Sequence, residues 1–171
     1  MEKIAKAVGT WDVLILNAGF ISAPAPISKA PLDEYWKNYE TNVKSIVILA
    51  KAFFPTANST RAAVLAVTGG ALVLPPKQVI GLSGYLCSKL AQIKTLEFLA
   101  AENLNMFFSS VHPGMIETDI FLKSAKLPAH FMVWLSQPEA QFLNGRFAKA
   151  KEIEPTTQMT IGYEGWPFPH M

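Results

Sequence analysis

Two unbroken apolar runs, Val13-Leu14-Ile15-Leu16 and Ala62 to Val67, constrain what this chain can fold into more than any other feature. Neither alternates apolar with polar residues, so neither reads as a strand with one wet face. Each reads as a parallel strand buried on both faces. A third strand is predicted over Met106 to Val111 and a last one over Phe142 to Ala148. Between the first two lies a long amphipathic helix from Pro31 to Phe54. Pro31 suits its first turn, Asp33 and Glu34 suit the positive end of its dipole, and Pro55 ends it. Within it Leu32, Tyr35, Trp36, Tyr39, Val43, Ile46, Val47, Ala50 and Phe53 recur mostly at spacings of three and four. A second helix runs from about Ser83 to Asn103, with Leu86, Leu90 and Ile93 on one side. Glu2 to Val8 reads as the last turns of a further helix, stopped by Gly9.

Strands alternating with helices through crossovers imply an α/β fold: a partial Rossmann-type, three-layer αβα domain with a mostly parallel sheet of about four strands. At 171 residues this is one domain, residues 1–171, with 148–171 an irregular tail. Half the residues are hydrophobic and the net charge is only +2, which argues against a nucleic-acid surface. Cys87 stands alone, so neither a disulfide nor a cysteine metal site is expected, and His130 and His170 lack ligand spacing. The charges in Met1-Glu2-Lys3-Ile4-Ala5-Lys6 break a secretory signal, and Lys51 interrupts the most apolar stretch, Ile46 to Phe54. A cytoplasmic protein without membrane or nucleic-acid partners is the expectation.

The chemistry concentrates in Leu82-Ser83-Gly84-Tyr85-Leu86-Cys87-Ser88-Lys89. Four residues apart on a helix, Tyr85 and Lys89 lie one above the other. An ammonium one turn away favours the phenolate, bringing Tyr85 closer to acid–base work on a carbonyl or an alcohol. Tyr and Lys at this spacing are common by chance; the company they keep is not. Asn17-Ala18-Gly19 closes an apolar strand, Asn42-Val43 sits inside the long helix, and Val67-Thr68-Gly69-Gly70 ends a second strand. His112-Pro113-Gly114 and Thr118 follow the tyrosine and lysine.

In order and spacing these landmarks resemble the short-chain dehydrogenase/reductase family. Phe142-Leu143-Asn144-Gly145-Arg146 and the Gly162-Tyr163-Glu164-Gly165-Trp166 end make the chain most similar to fungal-type members. The resemblance implies an NAD(P)-dependent oxidoreductase acting on a small-molecule carbonyl or alcohol, with Tyr85, Lys89 and Asn42 as its catalytic residues. Tyr85 would be the general acid/base. Lys89 would tune it and hydrogen-bond the nicotinamide ribose, and Asn42 would hold a water completing a proton relay. Asn17, Ala18, Gly19, Pro113, Gly114 and Thr118, together with Tyr85 and Lys89, would line the NAD or NADP site. Homo-oligomers would form through helices 31–54 and 83–103.

Two departures qualify this expectation. Where the family places a serine that hydrogen-bonds the substrate carbonyl, the aligned residue is Gly69, with Thr68 and Ser83 as possible substitutes. The family's opening strand and glycine-rich phosphate-binding turn are absent from the sequence, so nothing in it chooses between NAD and NADP. The alternative is therefore a catalytically impaired remnant or truncated gene product, acting at most as a binding or oligomerisation module. In that event the strand Val13 to Leu16 would be an exposed apolar edge.

Overall fold

The computed structural model describes residues 2–112 and 132–149. Its elements run α1 (Glu2–Val8), β1 (Val13–Leu16), α2 (Leu32–Tyr39), α3 (Ser45–Phe53), β2 (Ala62–Val67), α4 (Ser83–Glu102), β3 (Met106–His112) and β4 (Arg146–Lys149). The four strands form one sheet in the order β1-β2-β3-β4, every neighbour parallel. The expected α/β architecture is thus present, with helices supplying the crossovers.

Residue alternation along the central strands sorts the core into two layers. Val64, Ala66, Met106 and Phe108 face Ile46 and Phe53 of α3 and Leu96 and Ala100 of α4. Ala63, Leu65, Phe107 and Val111 face the other way, onto Leu135, Ala140 and Leu143. That second cover comes from a helical turn at 132–135 and a 3-10 turn at Pro138–Leu143. Trp11 anchors the start of the sheet, its indole N–H donating to the Phe53 carbonyl at 2.8 Å.

Three expectations need correction. β1 is not buried on both faces: Leu16 is 7% exposed, but Val13 is 42% and Ile15 48%. Among the described residues β1 is an edge strand of the sheet, and the layer over the second face packs on β2 and β3. The predicted last strand begins at Arg146, four residues late. Phe142 and Leu143 belong to the 3-10 turn, and Gly145 at φ +72° makes the corner before β4. Finally, the long helix over 31–54 is continuous in path but not in winding. Glu40–Lys44 forms a π-turn between α2 and α3, and a 3-10 turn at Phe54–Thr56 ends the run.

α4 is amphipathic in an unusual sense. Its buried side carries Ser88, Lys89 and Gln92 beside Ile93 and Leu96, while Leu90 and Phe98 are exposed. No helix among the described residues is long and apolar enough to cross a membrane.

Candidate active site

Tyr85 lies in the first turns of α4, half-buried, with its hydroxyl against the end of β2. A Cβ built on Gly69 would sit 3.1 Å from that oxygen, so the phenol occupies the notch the missing side chain leaves. Lys89 is 3% exposed, and its ammonium donates to the Val67 carbonyl at 3.0 Å. Gln92 donates to the same carbonyl at 3.3 Å. Lys89 Nζ stands 6.0 Å from the centre of the Tyr85 ring. Burial dominates both titrations. It lowers Lys89 from 10.5 to about 8 and pushes the Tyr85 phenol up. The expected downward tuning of the phenol by its lysine is therefore not what this arrangement produces, because the ammonium is turned to Val67.

Asn42 sits in the π-turn, 1% exposed, and spends its amide on protein groups. The Phe20 N–H donates to Asn42 Oδ1 at 2.8 Å, and Asn42 Nδ2 donates to the Phe20 carbonyl at 2.9 Å and to Ser88 Oγ at 2.8 Å. Four residues earlier, Asn38 does the same for the next stretch of loop. It accepts from the Ser22 N–H at 3.3 Å and donates to Ser22 Oγ at 3.0 Å. Two stacked asparagines thus hold the loop that follows β1 against the helix. A Cβ on Gly19 would come 3.4 Å from Lys89 Nζ and 3.6 Å from Asn42 Oδ1. The structure therefore brings Tyr85, Lys89, Asn42 and Gly19 together, with Asn17 and Ala18 exposed at the end of β1. Pro113, Gly114 and Thr118 lie outside the described residues.

The hydroxyls named as substitutes at Gly69 differ in placement. Thr68 Oγ1 is buried without a hydrogen-bond partner among the described residues, and Thr68 is the residue next to the notch. Ser83 Oγ is also buried and unpartnered among the described residues, and Ser83 lines an apolar cavity of about 420 Å³ with Ile27, Leu72, Ile80, Leu86 and Leu90.

Sequence reasoning missed Asn38, Ser88, Gly84 and Gln92. A polar residue at an apolar helix position was the available signal, and for Gln92 and Asn38 it was in plain view. Gly84 gave none: its role appears only where α4 meets α2, with a Cβ there 2.9 Å from Asn38 Nδ2.

Comparison with known proteins gives this arrangement a context. A sequence model described as short chain dehydrogenase matches residues 1–127. The chain is 26% identical over 162 residues to the short chain dehydrogenase andI of Emericella variicolor, covering 87% of this chain and 55% of that protein. It is 25% identical over 168 residues to the short chain dehydrogenase mpl6 of Monascus purpureus, covering 86% and 54%. It therefore spans about half the length of these curated relatives. Among solved structures, a short chain dehydrogenase from Shigella flexneri superposes with a TM-score of 0.75 at 16% identity, covering 95% of this chain and 68% of that one. One from Burkholderia cenocepacia, in complex with NADP, gives 0.74 at 21% identity, covering 86% and 66%. At such identities the structural likeness speaks to the fold.

Proposed function

The chain belongs to the short chain dehydrogenase family, and from that membership we propose that it interconverts a small-molecule carbonyl compound and its alcohol in an NAD(P)-dependent reaction. The observation that carries this reading is the Tyr85 hydroxyl held in the Gly69 notch with the buried Lys89 beneath its ring. Tyr85 Oη gives its proton to the carbonyl oxygen during reduction and takes it back during oxidation. A phenol pushed up by burial stays protonated at neutral pH, which suits the donor role. Lys89, close to neutrality in its titration, supplies a proton to restore the phenol.

The described residues fit the nicotinamide-ribose end of a dinucleotide. Gly19 passes within contact distance of Lys89 Nζ, a Cβ there lying 3.4 Å from it, beside the exposed Asn17 and Ala18. Asn17, Ala18, Gly19 and Lys89 would hold that end, with Pro113, Gly114 and Thr118 completing the site. A nicotinamide held there would supply the hydride exchanged with the substrate carbon.

A second reading, a binding or oligomerisation module, draws on two features. Gly69 offers no hydroxyl to polarise a carbonyl, and the loss of one such donor costs about 10²- to 10³-fold in rate. Val47 and Ile48 of α3 and Leu90 and Phe98 of α4 are exposed apolar side chains that a second copy would cover. The deciding experiment is consumption of NADH and of NADPH with a panel of ketones and aldehydes, wild type beside Tyr85→Phe. The enzymatic reading expects turnover that Tyr85→Phe lowers by about 10²- to 10⁴-fold with an unchanged melting temperature. Full turnover in Tyr85→Phe would remove the tyrosine from the reaction, and no turnover with either dinucleotide would favour the module.

A further inference from the structure

Ser88 has no part in the chemistry just described, yet its side chain is 0% exposed. Its hydroxyl donates to the Tyr85 backbone carbonyl at 2.7 Å and accepts from Asn42 Nδ2 at 2.8 Å. A serine inside a helix often returns its proton to a carbonyl three or four residues back. Here that back-bond points an oxygen lone pair at the π-turn. Asn42 then grips both the N–H and the carbonyl of Phe20. A continuous hydrogen-bonded path thus runs from the loop after β1, through the π-turn, to the peptide group of the residue that bears the phenol.

We propose that Ser88 is a positioning residue, locking the first turn of α4 to Asn42 and so fixing where the Tyr85 hydroxyl stands relative to Gly69 and the 17–20 loop. Its functional meaning rests on Tyr85 being the proton donor; its structural claim does not. Both bonds are needed. Without the hydroxyl, one buried Asn42 N–H loses its partner, and the π-turn and α4 are free to shift relative to each other. A displacement near 1 Å at a reacting group is enough to cost about 10²-fold in rate.

The test uses the full chain with isotope-labelled aromatic rings. Tyr85 is assigned by the signal lost in Tyr85→Phe, and the Trp11 indole, at the opposite end of β1, is the reference. Ser88→Ala is expected to move the Tyr85 ring signal while leaving that of Trp11 in place. Asn42→Ala is expected to move it likewise, with no further movement in the double variant. Ser88→Thr, which keeps the hydroxyl, restores the wild-type position. An unmoved Tyr85 signal in folded Ser88→Ala overturns the proposal, as does independent, additive movement in the double variant. If Ser88→Ala does not fold, Ser88→Cys, with its weaker donor, takes its place and is read the same way. In the turnover assay Ser88→Ala should lower kcat about 10- to 100-fold and leave KM within about twofold. Absence of turnover in the wild type would count against the enzymatic reading alone, because the ring signals report the positioning by themselves.

Discussion

Gly69 and Tyr85 are fitted to each other: a Cβ on Gly69 would lie 3.1 Å from the phenolic oxygen and 3.4 Å from Cε1. Contact that close obliges the ring to retreat by a few tenths of an ångström. A side chain at this position therefore has two opposed effects, crowding the donor and, if it carries a hydroxyl, adding a polarising hydrogen bond. Gly69→Ala isolates the first and Gly69→Ser combines both. Turnover in Gly69→Ser should exceed that in Gly69→Ala by about 10²-fold, and should exceed wild type if the missing hydroxyl limits the rate. Steady-state kinetics on the three proteins check it; equal rates in the two variants would show that a serine here polarises nothing.

Gly84 sets how closely α4 approaches α2. A Cβ there would lie 2.9 Å from Asn38 Nδ2 and 3.1 Å from Tyr35 Cδ2. In an exposed helix, alanine in place of glycine stabilises by about 1 kcal/mol. Here overpacking wins, because the nearest atom belongs to the amide that holds Ser22. Gly84→Ala should destabilise the chain by about 1–3 kcal/mol, measured from denaturant midpoints. A stabilised variant would mean that the two helices separate freely.

Lys89 makes a prediction about pH with a definite sign. Its titration is lowered by burial from 10.5 to about 8. Below pH 8 both folded and unfolded chains carry the charge, and the cost of burying it is fully present. Between pH 8 and 10.5 the unfolded chain binds more protons, so stability rises with pH. Tyr85 and Tyr39, both raised, act oppositely above about pH 10. Subtraction of a Lys89→Met variant removes their share. The melting temperature of wild type should climb relative to Lys89→Met from pH 8 to 10; a constant difference would mean the lysine keeps its ordinary titration.

The edge strand should make the chain self-associate. Val13 and Ile15 are exposed apolar side chains on a strand that pairs on one side only among the described residues. Such an edge is a template for another strand, and a lysine on it is an effective block. Ile15→Lys should shift the chain toward monomer in size-exclusion chromatography with light scattering, without lowering its melting temperature. A monomeric wild type would show that the edge is protected.

Much of this was readable from the residues. Ala62 to Val67 and the helix from Ser83 declare themselves by composition and boundary, and both lie where expected. Val13 to Leu16 has the same composition as a buried strand, but burial depends on what packs over it, which a four-residue run does not encode. Phe142 and Leu143 carry strand-forming bulk, yet Gly145 turns the chain after them, and the Phe108 N–H donates to Asn144 Oδ1 at 2.8 Å to fix that turn. Tyr85, Lys89 and Asn42 could be picked out because their types suit the chemistry. Ser88 could not, since its importance lies in a partner 46 residues away.

The π-turn also explains a rhythm in the chain. Asn38, Asn42, Ile46 and Ala50 are all buried, each four residues from the last. A regular α-helix advances about 100° per residue, so a strict step of four slips by about 40° each time and would carry the last of these well around the cylinder. Wider winding over Glu40–Lys44 takes up the slip and keeps the column facing inward. The segment therefore acts as a vernier between two asparagines that serve the loop and two apolar residues that serve the sheet. Removing one position from 40–44 would therefore let ordinary α-winding take its place, because eleven steps of about 100° bring Ala50 back to within about 20° of Asn38 and the column still faces inward.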